Sequence, residues 1–116
     1  MKALEACPDT PNCVCSIEER EDHFIGPLKY EGDDGAALTR LKAVMSEMKR
    51  TKLVEEKDGY LHFVTTTALM RFKDDIEFSL NAEAKQIEVR SASRVGRSDF
   101  GVNRKRVEEI RKAFEG

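Results

Sequence analysis

The sequence predicts an α+β domain, a two-layer sandwich with a four-stranded antiparallel sheet, two helices on one face and an extended N-terminal arm. Three observations predict it. Residues 75–80 and 86–91 alternate apolar and polar side chains, with Ile76, Phe78 and Leu80 on one face and Ile87 and Val89 inward on the next segment. Asp58-Gly59 separates two β-rich runs, as a two-residue hairpin turn of type I′ would. Two further stretches repeat apolar residues at helical spacing.

Taken in order, residues 1–32 form the arm of the same single domain and residues 33–116 its core. Pro8, Pro11, Pro27, Gly26 and Gly32 punctuate the arm, so extended chain and turns are expected, with a short strand near 24–30. Ile17, Phe24, Ile25, Leu28 and Tyr30 are its expected anchors. Asp33 or Asp34 fits an N-cap, because either carboxylate can accept from the first free backbone N–H groups. Ala37, Leu38, Leu41, Val44, Met45 and Met48 then make one apolar stripe, on a helix expected to end near Arg50. The two methionines read as core filler rather than a partner surface. Strands are expected over 53–57, 60–67, 75–80 and 86–91, with one wet face. The last helix, about 103–114, carries Val107, Ile110 and Phe114 inward, with Asn103 as its expected N-cap.

Charge narrows the function classes. The net charge of −2 hides an asymmetry: residues 90–116 carry eight Lys/Arg against four Asp/Glu, and the remainder twelve against eighteen. A pI near 5.8 argues against a nucleic-acid partner. No apolar run is long enough to cross a bilayer. Two compartments fit: the cytosol, or the cell envelope if this is a mature or truncated form of an exported protein. Cys7 and Cys13, with two prolines between them, fit a small disulfide loop in an oxidising compartment; the alternative is three reduced thiols in a mobile arm. Neither a metal nor a cofactor is expected. The Cys spacing is not one that zinc commonly uses, and the two glycines at 96 and 101 lack the third glycine and the parallel βαβ unit of a nucleotide cradle.

The stretch RSASRVGRSDFGVNR, residues 90–104, concentrates the chemistry. Arg90, Ser91, Ser93, Arg94, Arg97, Ser98, Asn103 and Arg104 supply guanidinium forks, hydroxyls and a helix start, which together can hold a phosphate or a carboxylate. Alternatively the same forks clamp Asp74, Asp75 and Asp99 and fix the strand-to-helix crossover. The clamp is the preferred expectation, because unpaired arginines around a tight turn are costly to desolvate. A hydrolytic set of Ser91 or Ser93 with His62 and Asp74 or Asp75 lacks any nucleophile elbow.

CPDTPNCVCS, GPLKY, RFKDDIEF and RSASRVGRSDFGVNRKRV occur in an order that resembles the domain of unknown function 1499 (DUF1499) family, found widely in bacteria and in plastids. Cys15 departs from the serine usual there. The resemblance implies that many relatives are exported, some as lipoproteins or with membrane-spanning extensions, and it implies no activity. The functional expectation is a non-enzymatic binding or assembly module, of the cell envelope if exported. It would use the Arg/Ser crossover to engage a protein or a small anionic ligand. The alternative is a small enzyme acting on an anionic substrate through the same arginines with Asp74 and Asp75.

Overall fold

Alternation in the second half of the chain builds the centre of the sheet. A computed structural model describes residues 3–96 and 101–116. Its elements are β1 (Cys13–Cys15), β2 (Leu28–Lys29), α1 (Asp34–Ser46), β3 (Thr51–Lys57), β4 (Tyr60–Thr66), β5 (Lys73–Asn81), β6 (Gln86–Ser93) and α2 (Val102–Glu115). The fold is α+β, with every strand pair antiparallel and the order β1-β6-β5-β4-β3. The turn after β5 closes Asn81 onto Gln86, and that register carries through to Asp74 opposite Ser93.

Six strands form the sheet rather than the expected four. The two extra strands come from the arm: β1 pairs Val14 with Ser91, and β2 pairs Leu28 with Ile87, end to end along the outer edge of β6. Without them β6 would present a bare row of backbone donors and acceptors beside buried side chains. β1 is buried along its whole length.

One face of the sheet carries Leu61, Phe78 and Val89 in register, then Phe63 and Ile76. These share a single buried cluster with Leu41 and Met45 of α1 and with Val107, Ile110 and Phe114 of α2. Phe63 and Phe78 meet edge to face at 5.9 Å. The opposite face is not wholly wet, as had been expected. The arm doubles back across it, packing Leu4 and Cys7 on Cys13, Cys15, Tyr60 and Ala92. A disulfide between Cys7 and Cys13 ties that return, while Cys15 is free and buried. Of the expected anchors Ile25, Leu28 and Tyr30 are buried, whereas Ile17 and Phe24 lie largely in solvent.

Three local expectations need correction. α1 ends at Ser46, where i→i+3 bonds from Glu47 and Met48 tighten the last turn, and Arg50 at φ 55 then redirects the chain into β3. The N-cap of α1 is Asp33, one of the two expected candidates, which accepts from Ala36 N–H at 2.8 Å. The N-cap of α2 is Gly101 at φ 80, not Asn103, which lies inside the helix and is fully buried. Third, only Gly59 of the hairpin turn has positive φ, at 83°, so the turn is not type I′, which needs both central residues there. Gly59→Val should lower stability by about 1 kcal/mol or more, since a β-branched residue resists that region. A thermal midpoint unchanged by the substitution would contradict this.

Candidate functional site

β6 runs into the crossover with its side chains pointing alternately to the two faces, and this divides the candidate residues into two groups. Arg90 pairs with Glu77 across the sheet, on the face that the arm partly covers. Ser91 and Ser93 lie opposite Ile76 and Asp74, on the helix side. Gly96, soon after β6, has φ 86 and Gly101, just before α2, has φ 80, and α2 packs on that side.

On the helix side the polar groups close on one another. Ser91 Oγ donates to Asn103 Oδ1 at 2.6 Å, and Asn103 Nδ2 donates to Ser93 Oγ at 3.0 Å and to the Asn12 carbonyl at 3.1 Å. Arg106 completes the set. Its Nη1 donates to Asn103 Oδ1 at 2.7 Å and its Nη2 to Asp74 Oδ2 at 2.7 Å. The Asp74 side chain is 2% exposed and that of Arg106 11%. Asn12 in turn donates to the Gly96 carbonyl at 2.7 Å, so the arm, the crossover and α2 meet in one buried junction.

The other face holds a looser set. Arg94 grips Asp75 with two bonds, Nε to Oδ2 and Nη2 to Oδ1, both 2.9 Å, and His62 Nε2 lies 2.7 Å from Asp75 Oδ1. Burial pushes the Asp75 carboxyl up, but the Arg94 and His62 hydrogen bonds outweigh it and leave it below the usual carboxylate range. Arg94 is nevertheless 46% exposed. Arg90 Nη1 reaches Glu77 at 3.4 Å, and Tyr60 donates to the other oxygen of Glu77 at 2.6 Å. Burial and that contact push the Tyr60 hydroxyl well above its ordinary value. Arg90 Nε is buried without an acceptor among the described residues.

Placement of the remaining candidates follows. Arg104 points away from both groups, its Nη2 3.4 Å from the Asp22 carbonyl. Arg97, Ser98 and Asp99 lie outside the described residues. Asp74 and Asp75 serve opposite faces, as neighbours on a strand must. For the same reason His62 and Asp75 form a pair that neither Ser91 nor Ser93 can join, because both are across the sheet. Among the described residues no three His, Cys, Asp or Glu side chains gather as metal ligands.

Sequence reasoning missed Arg106, Asn12, Glu77 and Tyr60. Arg106 had a signal: it lies three residues after Asn103 and four before Ile110, on the edge of the buried stripe. Glu77 had one too, since an Asn81–Gln86 closure puts it opposite Arg90. Asn12 had none, because the partners that place it in the junction, among them Val95, Gly96 and Asn103, are 83 to 91 residues away.

A third clamp holds the disulfide loop. Glu18 accepts from Cys7 N–H at 3.1 Å and from Arg20 Nη2 at 2.8 Å, and Arg20 also donates to the Cys7 carbonyl at 2.6 Å. The Arg20 hydrogen bond holds the Glu18 carboxyl down at about 2.

These features define a small α+β domain whose crossover is tied to sheet and arm by charged hydrogen bonds. Residues 3–114 match the model of the family described as "Protein of unknown function (DUF1499)", and the chain belongs to that family. No match is found among curated proteins. Among the described residues no helix is long and apolar enough to cross a membrane.

Proposed function

We propose that this chain is a non-enzymatic binding or assembly module of the cell envelope, a two-layer domain whose crossover arginines hold the fold rather than await a substrate. The observation that carries the reading is the pairing of Arg94 with Asp75, Arg90 with Glu77 and Arg106 with Asp74. Arg94 commits its Nε and Nη2 to Asp75 at 2.9 Å each, so that edge of its guanidinium is spent on the fold rather than on an anionic substrate. The Cys7–Cys13 disulfide supports the envelope, because such bonds persist in oxidising compartments. His62 and Asp75 receive no nucleophile from Ser91 or Ser93, whose hydroxyls lie on the opposite face.

Thermal melts with and without a few millimolar phosphate, at matched ionic strength, test the proposal. A substrate-like anion at ten times its Kd would stabilise the fold by about 1.4 kcal/mol. The expected result is no phosphate-dependent shift, either in the wild type or in Arg94→Ala. A shift in the wild type that Arg94→Ala abolishes would overturn the module reading in favour of an enzyme acting on an anionic substrate.

A further inference from the structure

We infer that the end of the sheet formed by the β4–β5 turn docks on an anionic phospholipid membrane, with Leu69 and Met70 entering the headgroup–acyl boundary and the surrounding cations meeting lipid phosphates. The inference rests on the binding-module reading and names the partner. It starts from the turn, residues 67–72, reading TALMRF. Leu69 is 88% exposed and Met70 62%, with Phe72 exposed beside them. Turn tips ordinarily carry Gly, Asn, Asp or Ser, whose backbone preferences and short polar side chains suit water. This one carries large apolar side chains, and its own hydrogen bonds hold them outward. Thr67 N–H donates to the Phe72 carbonyl at 2.8 Å, Phe72 N–H to the Thr67 hydroxyl at 2.9 Å and Arg71 N–H to the Thr67 carbonyl at 3.2 Å. Val95 and Val102, at either side of the crossover, are exposed as well.

The charges lining the groove beside the tip have one sign. Arg50, Lys52, Arg71, Lys73 and Arg94 line an open groove of about 590 Å³ that has no carboxylate in its lining. Of the five, Arg94 is the one paired with a carboxylate; Arg50 donates to the Thr66 carbonyl at 2.9 Å. Lys49 and Lys105 extend the basic rim around the edge of the sheet, where Glu47 and Glu109 are the acidic neighbours. A chain with net charge −2 has thus gathered four cations that pair with no carboxylate among the described residues, Arg50, Lys52, Arg71 and Lys73, beside a turn with strongly exposed apolar side chains. A membrane surface takes both features: the apolar tip into the boundary and the cations at the anionic headgroups. A nucleic-acid duplex would use the cations and leave Leu69 in water.

Flotation with vesicles tests the inference, using phosphatidylcholine alone and phosphatidylcholine with phosphatidylglycerol. Binding is expected to the mixed vesicles, to weaken as salt is raised, and to be much weaker on pure phosphatidylcholine. Lys52→Ala and Lys73→Ala should each weaken it by about fivefold. Leu69→Ser with Met70→Ser should weaken it by about tenfold or more, with the melting temperature unchanged. Three results would overturn the inference: no binding to mixed vesicles, binding indifferent to the Leu69/Met70 pair, or a short DNA duplex binding as tightly as the vesicles. A docking failure of this kind leaves the phosphate melts, and therefore the module reading, to stand or fall separately.

Discussion

Arg106→Ala should destabilise the fold by about 3–5 kcal/mol, because it strands a carboxylate inside the protein. Asp74 is among the most buried charged side chains described, and Arg106 Nη2 donates to it at 2.7 Å. Truncation also takes the donor from Asn103 Oδ1, leaving the Ser91 hydroxyl to satisfy that oxygen alone among the bonds described. The loss is of this size because the carboxylate is 2% exposed and has little water to replace the guanidinium. Replacing both partners, as in Asp74→Leu with Arg106→Met, removes the stranded charge, so the double variant should recover much of the loss. Urea midpoints at constant slope measure each corner of the cycle. An Arg106→Ala protein within about 1 kcal/mol of wild type would show that Asp74 finds another partner or solvent.

Arg94→Ala is the informative contrast. The sequence pointed to the crossover arginines, Arg94 among them, as the clamp on Asp74, Asp75 and Asp99. Arg94 does grip Asp75, but 46% of its side chain faces water, where solvent screens the pair and can replace it. Its removal should cost a small fraction of the Arg106 effect. The arginine that matters most for stability stands two positions beyond Arg104, on the inward edge of α2.

How far the sequence was legible depended on the length of each pattern. β5 and β6 show several alternations each, and both helices carry apolar residues over several turns, so their existence and inward faces could be read directly. β1 and β2 span three and two residues, too short for any period, and they exist because β6 offers an edge. Asn103 shows a different limit. An asparagine at a helix start is a good cap by composition, but Gly101 in the left-handed region lets the helix begin without one. The Asn103 amide is thereby released to join three segments far apart in the chain. Alternation also showed that Asp74 and Asp75 must diverge. Which arginine each would meet depended on the angle at which α2 returns, and local pattern does not encode that angle.

Removing the disulfide with Cys7→Ala and Cys13→Ala should cost about 2 kcal/mol by the chain-entropy estimate for so short a loop, with the loss concentrated in the arm. The two cysteines are six residues apart and both are buried, so the bond closes a small loop against Tyr60 and Ala92. Opening it loosens the return of Leu4 and Cys7 across the second face and weakens support for β1, which pairs Val14 with Ser91. Hydrogen exchange should therefore quicken at Val14 and Cys15 while the amides of β4 and β5 keep their protection. Glu18 and Arg20 still bind the Cys7 backbone, which limits the damage at neutral pH. That help fades in acid. The Glu18 carboxyl is held at about 2 when folded, so its contribution is complete above its ordinary value of 4.5 and is lost as pH falls from there through about 2. Thiol counting checks the starting point. Cys15 is fully buried and its thiol is pushed up by that burial, so the native wild type should take up no alkylating label. In urea without reductant it should take up one label, on Cys15. Three labels in that experiment would mean that Cys7 and Cys13 are not bonded, and the expected loss of stability in the double alanine variant would disappear with the bond.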